Sequence, residues 1–126
     1  MILGNVNNRR EAIVQIAVLG DNKKVQSVKA IIDTGYTGAL MLPLSIISFL
    51  GLICITQQEA TLGDGSKCLL DVYEGAVIWD GKVQIVEINA SESDPLIGME
   101  LLEGYELRIE SIAGGNVRIQ PLFSQN

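Results

Sequence analysis

The sequence predicts a single all-β domain over residues 1–126, with one or two short helices. Short apolar runs recur along the chain, and clusters of glycine, asparagine and aspartate separate them, which is the pattern of strands joined by turns. Apolar residues make up 48% of the chain and charged residues 19%, so a packed core can form and a disordered chain is excluded. The sequence shows no repeat, linker or low-complexity stretch, which favours one domain.

The first predicted hairpin delivers an aspartate to the end of a strand. An apolar run over Ala12–Leu19 is followed by a turn cluster over 20–23 and by a second run over Val25–Ile32. We therefore interpret residues 1–32 as a hairpin that ends at Asp33. A carboxylate in that position is lifted out of the apolar interior and held at a rigid strand end, where its neighbours can tune its chemistry.

The middle of the chain predicts one helix and a long hairpin. Proline at the start and glycine just past the end bound a short helix over 43–50. Strands over 52–62 and 66–79 flank the sequence Gly63-Asp64-Gly65. Because an Asp-Gly pair between two apolar runs is a strong hairpin signal, we expect a turn at these glycines.

The last third of the chain continues the alternation of strands and turns. A return strand follows a turn at Asp80-Gly81, and a polar loop then leads to Pro95 and a single helical turn. The chain closes on a hairpin around Gly114-Gly115. The predicted elements are strands over 83–89, 107–112 and 117–122 and the helical turn over 99–103.

Composition excludes several classes of function. A net charge of −6 with nine lysines and arginines argues against nucleic acid or an anionic membrane as the partner. No apolar window is long enough for a membrane-spanning helix, and the start of the chain shows no export signal, so we expect a cytoplasmic protein. Cys54 and Cys68 lack metal-ligand spacing and are most simply two reduced thiols in or near the core, with a disulfide as the alternative.

Asp33 is the best placed residue for hydrolytic chemistry. The chain contains no histidine, which removes Ser-His-Asp and Cys-His mechanisms as well as the usual histidine-containing zinc sites. If the protein is a hydrolase, its catalytic residues must then be carboxylates. The other aspartates, at positions 64, 71, 80 and 94, are scattered singly, so we expect neither a metal nor a cofactor.

Three segments in this order resemble the retropepsin-like aspartic proteases. They are Asp33-Thr34-Gly35 after an apolar strand, the glycine-tipped hairpin at 63–65, and Leu96-Ile97-Gly98 with the short helix behind it. The chain is similar to a small prokaryotic group of that clan, which carries an aromatic residue after Asp-Thr-Gly. The further matches are Tyr36, Asp64-Gly65-Ser66, Trp79-Asp80-Gly81 and Gly114-Gly115.

The resemblance implies a closed β-barrel with one lobe per chain and an aspartic endopeptidase that works as a homodimer. The chain has one Asp-Thr-Gly, so Asp33 of each subunit would meet at the two-fold axis and activate a water for attack on an extended peptide. Thr34 would bond across the axis, and Gly35 would let the substrate approach the backbone. The residues implied to contact or admit substrate are Leu62, Gly63, Asp64, Gly65 and Gly98.

Departures from the family pattern keep a second hypothesis open. Tyr36 stands where many aspartic proteases have serine or alanine, and it either narrows the pocket or packs in the core. Met99 and Glu100 stand where retroviral enzymes place an arginine that ties the dimer together. The alternative is therefore a catalytically inactive peptide-binding or interaction module on the same fold. A third interpretation is a plain β-barrel interaction domain in which Asp33 is a surface turn residue.

Overall fold

The computed structural model describes residues 1–123. The all-β class is confirmed, because this part of the chain folds into ten strands with two short helices. The elements in chain order are β1 (Ile2–Val6), β2 (Ala12–Leu19), β3 (Val25–Ile32), β4 (Leu40–Pro43), α1 (Leu44–Leu50), β5 (Ile53–Thr61), β6 (Lys67–Trp79), β7 (Lys82–Ser91), β8 (Leu96–Ile97), α2 (Met99–Leu102), β9 (Tyr105–Ile109) and β10 (Asn116–Pro121).

Six of the strands are paired in a ring. Strand β2 pairs with β3, β3 with β8, β8 with β4, β4 with β7 and β7 with β6, and β6 pairs again with β2. Strand β5 extends the sheet beyond β6, and β1, β10 and β9 extend it beyond β2. These pairings agree with the β-sheet architecture that the sequence predicts, and the closed barrel itself stays a prediction.

Strands β1, β4 and β8 were not predicted from the sequence, and among the predicted strands the bounds of β9 differ most. Residues 1–32 form three strands, because β1 pairs with both β2 and β10. Strand β4 pairs with β7 and β8, which lie far along the chain. Strand β9 ends at Ile109 where the prediction ran to residue 112. Residues 110–115 instead make a turn in which the Gly115 N–H donates to the Ile112 carbonyl.

The core follows from the alternation of side chains along the strands. In β2, Ala12, Val14, Ile16 and Val18 are buried, while the residues that alternate with them are more exposed. Leu40 and Leu42 of β4 point to the same interior. Trp79, 1% exposed, closes the core at the end of β6 and meets the Tyr105 ring edge-on at 5.9 Å. This core fixes the strand ends that carry the candidate site.

Helix α1 covers one side of the core and ends at a left-handed glycine. Ile47 and Leu50 are its buried residues. Gly51 has φ 67° and ψ 30°, and its N–H donates to the carbonyls of Ile47 and Ser48. The predicted boundary at this glycine is confirmed, because only a residue without Cβ adopts this conformation freely.

We expect Gly51→Ala to lower the free energy of unfolding by at least about 1 kcal/mol, because a left-handed conformation is unfavourable for a residue with Cβ. The new Cβ would also lie 2.5 Å from Asp21 Oδ1, so the Asp21 side chain would have to move. Gly51→Asn is the matched control, because asparagine also adds a Cβ but tolerates the left-handed region better. Its loss should be smaller, because the crowding against Asp21 is common to both variants and only the backbone cost differs. Urea denaturation of the three proteins measures both differences. Equal losses for alanine and asparagine would contradict a contribution from backbone conformation.

None of the helices within residues 1–123 is long and apolar enough to cross a membrane. Cys54 and Cys68 are free thiols in the β5–β6 hairpin, at positions that face Tyr73 and Ala60 in the strand pairing. Cys54 is exposed and Cys68 half-buried, so the predicted position in or near the core is wrong for Cys54, which lies on an outer strand of the sheet.

Candidate active site

Asp33 lies where β3 ends, and its backbone is held by a neighbouring strand. Strand β8 pairs in parallel with β3, so the Asp33 N–H donates to the Ile97 carbonyl at 2.9 Å. The Tyr36 N–H donates to the Asp33 carbonyl at 3.1 Å and closes a turn. Within this turn the Gly35 N–H donates to Asp33 Oδ1 at 2.9 Å. The carboxylate is half-buried and has one oxygen fixed by the backbone.

The loop that follows Asp33, residues 33–39, is attached to the segment that follows β8. The Gly98 N–H donates to the Ala39 carbonyl at 3.0 Å, and the Met99 N–H donates to the Tyr36 carbonyl at 2.8 Å. The Glu100 N–H donates to the Gly38 carbonyl at 3.2 Å. Because these bonds join two backbone segments directly, the position of Asp33 is set by main-chain geometry rather than by adaptable side chains.

Gly98 is buried where these two segments cross. A Cβ on Gly98 would lie 2.5 Å from Tyr36 Cδ2 and 2.6 Å from the Tyr36 carbonyl oxygen, and closer still to the Gly38 carbonyl oxygen. No side chain fits in that space. Gly98 therefore lies behind the Asp33 loop, where it admits the neighbouring backbone.

Tyr36 packs against this crossing and reaches a buried amide. Its ring occupies the space that a Cβ on Gly38 or Gly98 would need. Its hydroxyl lies 2.6 Å from Asn89 Oδ1 and 3.2 Å from the Leu40 carbonyl oxygen. Burial, and to a smaller extent the negative charge of Glu100, raise the pKa of the Tyr36 hydroxyl well above its ordinary value. The sequence left open whether Tyr36 narrows the pocket or packs in the core, and the structure shows it packed against the backbone and hydrogen-bonded.

We expect the Tyr36→Phe variant to resist alkaline unfolding better than the wild-type protein does. Because the pKa of Tyr36 is raised in the folded state, the unfolded chain loses this proton first, from about pH 10, and folding weakens as pH rises further. Tyr36 is only partly buried. The free energy of unfolding of the wild-type protein should therefore fall by less than the ~1.4 kcal/mol per pH unit that one fully coupled proton gives. Urea denaturation at pH 9 to 12 should show the free energy of unfolding of the wild-type protein converging on that of the Tyr36→Phe variant. A difference between the two proteins that stays constant with pH would contradict a raised pKa of Tyr36.

The long β5–β6 hairpin carries the predicted turn at residues 62–66, which we call the hairpin tip. The Leu62 N–H donates to the Ser66 carbonyl at 2.7 Å, and Gly65 has φ 85°, which requires a residue without Cβ. Asp64 Oδ1 accepts from the Ser66 hydroxyl at 2.6 Å and from the Ser66 N–H at 2.9 Å. These bonds, led by that of the hydroxyl, hold the pKa of Asp64 below its usual value. The tip is therefore ordered by its own residues.

A groove of about 630 Å³ lies between the Asp33 loop and this hairpin. Of the residues predicted from the sequence, Asp33, Gly35 and Leu62 line it. Thr34 is exposed beside Asp33, Gly63-Asp64-Gly65 form the hairpin tip, and Gly98 lies buried behind the loop. Other lining residues are Tyr36, Thr37, Gly38, Ala39, Met41, Gln58, Glu59, Ala60, Thr61, Leu70, Glu87, Asn89, Leu96 and Glu100.

The lining contains functional candidates that sequence reasoning missed. Glu59, Glu87 and Glu100 join Asp33 around the groove, and the described lining includes no lysine or arginine. Asn89, which is 6% exposed, also lines the groove. The sequence did contain an indication that Asn89 has a function, because asparagine is disfavoured within a strand of mostly apolar residues. Residues 1–123 show no group of three or more His, Cys, Asp or Glu side chains placed to hold a metal ion.

Comparison with protein-family models and with curated proteins gave no significant match. Solved structures do resemble the chain. A retropepsin-like aspartic protease from Rickettsia conorii aligns at 18% identity with a TM-score of 0.54, over 93% of this chain and 87% of its own. The simian foamy virus (mac) protease aligns at 18% identity with a TM-score of 0.50, over 70% of this chain and 90% of its own. The chain therefore has the retropepsin-like fold.

Proposed function

We propose that the chain is an aspartic endopeptidase in which each subunit of a homodimer supplies one lobe and one Asp33. The observation that carries the proposal is the Asp33 carboxylate itself, fixed by the Gly35 N–H and lining a groove of about 630 Å³. The likeness in fold to proteins described as proteases supports the same conclusion. One chain supplies one such aspartate, so a two-fold axis beside Asp33 would complete the pair.

The paired carboxylates would divide the work of acid and base. Two carboxyl groups so near each other cannot both ionise without strong repulsion, so the pair would hold one proton between them. The ionised carboxylate takes a proton from a water, whose oxygen attacks the peptide carbonyl carbon while the protonated carboxylate donates to the carbonyl oxygen. The C–N bond then breaks as the amine nitrogen receives a proton. The products are one carboxylic acid and one amine, with the water consumed.

The neighbouring residues have roles in this proposal that match their positions. Thr34 is exposed in the single chain, where its hydroxyl can meet the partner subunit across the axis. Gly35 lines the groove, and a Cβ there would lie 3.2 Å from Asp33 Oδ1, so glycine leaves the carboxylate uncrowded. The hairpin tip, with Leu62 facing the groove and Gly63, Asp64 and Gly65 at the turn, would close over an extended peptide and exclude water. Gly98 would act by admitting the crossing backbone.

Cleavage of an unbiased peptide library from about pH 3 to 8 tests this function. We expect cuts, and we expect the rate per chain to fall when the protein is diluted below the dissociation constant of the dimer. Sedimentation at the same concentrations measures the fraction of dimer directly. Peptide cleavage by a protein that sediments only as a monomer would contradict an active site that two subunits share. A folded dimer that binds peptides without cutting at any pH would instead support the inactive binding module.

A further inference from the structure

Asn89 has a buried hydrogen-bond donor with no partner. Among residues 1–123 it is the one polar side chain in the buried class, at 6% exposure, and it lines the groove beside Asp33. Its Nδ2 atom finds no acceptor among the described residues. Buried amide N–H groups are nearly always hydrogen-bonded, because leaving one unpaired opposes folding. Because Asn89 also lines the groove, an acceptor on a ligand that reached Nδ2 from there would satisfy this donor.

The orientation of this amide follows from its contact with Tyr36. The 2.6 Å separation between the Tyr36 hydroxyl and Asn89 Oδ1 is typical of an O–H···O bond, whereas N–H···O bonds are usually near 2.9 Å. Tyr36 therefore donates to the amide oxygen, and the amide nitrogen is turned away from it. Because the Tyr36 ring is itself fixed against Gly38 and Gly98, the Asn89 amide is preorganised.

We propose that Asn89 is a specificity-determining residue that recognises a carboxamide side chain, that of glutamine or asparagine, in the bound peptide. The inference rests on the proposed function, since it takes the groove to be the peptide site. The carboxamide oxygen would accept from Asn89 Nδ2, and the stem would lie against the apolar lining residues Ala39, Met41 and Leu96.

The charge of the groove separates a carboxamide from its nearest alternatives. Glu87 and Glu100 line the same groove and would repel a substrate carboxylate, whereas the charge of Glu59 is paired with Lys67 at 3.2 Å. Lysine and arginine side chains suit those carboxylates but have no acceptor to offer Asn89. A carboxamide presents an acceptor to the amide and a donor to a carboxylate, so it satisfies both features of the lining.

Binding to the Asp33→Asn protein tests the inference without relying on turnover. Short fluorescein-labelled peptides on an alanine and valine background carry Gln, Met, Glu or Lys at each position in turn, and fluorescence anisotropy measures their affinity. We expect Gln at one position to bind at least about tenfold more tightly than Met, which has a similar shape but no amide. Equal affinity of the Gln and Met peptides at every position would overturn the inference, as would an absence of binding by all peptides.

Substitutions assign the preference to the residue. In the Asp33→Asn background, Asn89→Leu should reduce the ratio of Gln to Met affinity to about one. Tyr36→Phe keeps the ring and removes the bond that orients Asn89, so it should lower the same ratio part of the way. Asn8→Leu, at an exposed position in the β1–β2 turn, is the matched control and should leave the ratio unchanged. Circular dichroism confirms that each variant is folded, and an unchanged ratio in both groove variants would overturn the assignment to Asn89.

The design separates this inference from the proposed function. Preferential binding of Gln peptides by the Asp33→Asn protein, together with no cleavage by the wild-type protein, would refute the endopeptidase and keep the specificity. Cleavage by the wild-type protein with no difference between Gln and Met peptides would keep the endopeptidase and refute the specificity.

Discussion

Asp33→Asn is expected to reduce peptide cleavage by at least about a thousandfold, because it removes both the base and the acid of the proposed pair. The fold should survive the change. The asparagine amide oxygen can accept from the Gly35 N–H in place of Oδ1, so the backbone turn keeps its bond. Initial rates on a peptide that the wild-type protein cuts measure the loss, and thermal unfolding measures the retained fold.

Asp21→Asn is the matched control for this substitution. Asp21 is exposed in the β2–β3 turn, at the opposite end of β3 from Asp33, so the same chemical change there should leave cleavage within about twofold. Comparable activity of the Asp33→Asn and wild-type proteins would refute the role of Asp33. A loss of equal size in both variants would show a general effect of the substitution on the fold.

Mixing subunits tests whether the pair is shared between chains. If wild-type and Asp33→Asn chains exchange at random in equal amounts, only about one quarter of the dimers carry two Asp33 residues. Activity per total chain should then fall to about a quarter of the wild-type value, whereas independent chains would retain about half. The wild-type fraction can be varied, and a linear dependence of activity on that fraction would exclude a site built from two subunits.

Local rules were enough for the elements whose signals lie close together in sequence. The bounds of β2 and β3, the start and end of α1 and the turn at Gly63-Asp64-Gly65 were all predicted from adjacent residues. Strands β1, β4 and β8 were not predicted, because they are held by partners far along the chain. Leu40 of β4 pairs with Ile88 and Ile97, and no residue next to Leu40 encodes that choice.

The same distinction applies to the candidate site. Asp33, Gly35 and Leu62 were predicted from their motifs, and the structure places all three on one groove. Asn89 and Glu87 reach that groove because β7 pairs with β4 and β6, which short-range patterns do not show. The contact between Tyr36 and Asn89 likewise depends on the folded chain, so its role could not be decided from the identity of the residue after Gly35.

Gly98→Ala is expected to lower the free energy of unfolding by about 3 kcal/mol, the upper part of the range for an overpacked core. The added Cβ would contact two backbone oxygens, those of Gly38 and Tyr36, and neither can turn aside as a flexible side chain could. The N–H groups of Gly98 and Met99 hold the same segments together, so relief of the clash must also stretch these bonds. Urea denaturation of the variant and of the wild-type protein measures the loss.

Gly63→Ala supplies the comparison that isolates crowding from the general effect of replacing glycine. A Cβ at Gly63 would have no atom within 4 Å, so stability should change by less than about 0.5 kcal/mol. If both alanine variants lose the same stability, the close approach of backbone at Gly98 is not what makes glycine necessary there. If only Gly98→Ala is destabilised, the crossing behind Asp33 is rigid, and a rigid support is what a carboxylate needs to hold a water in one place.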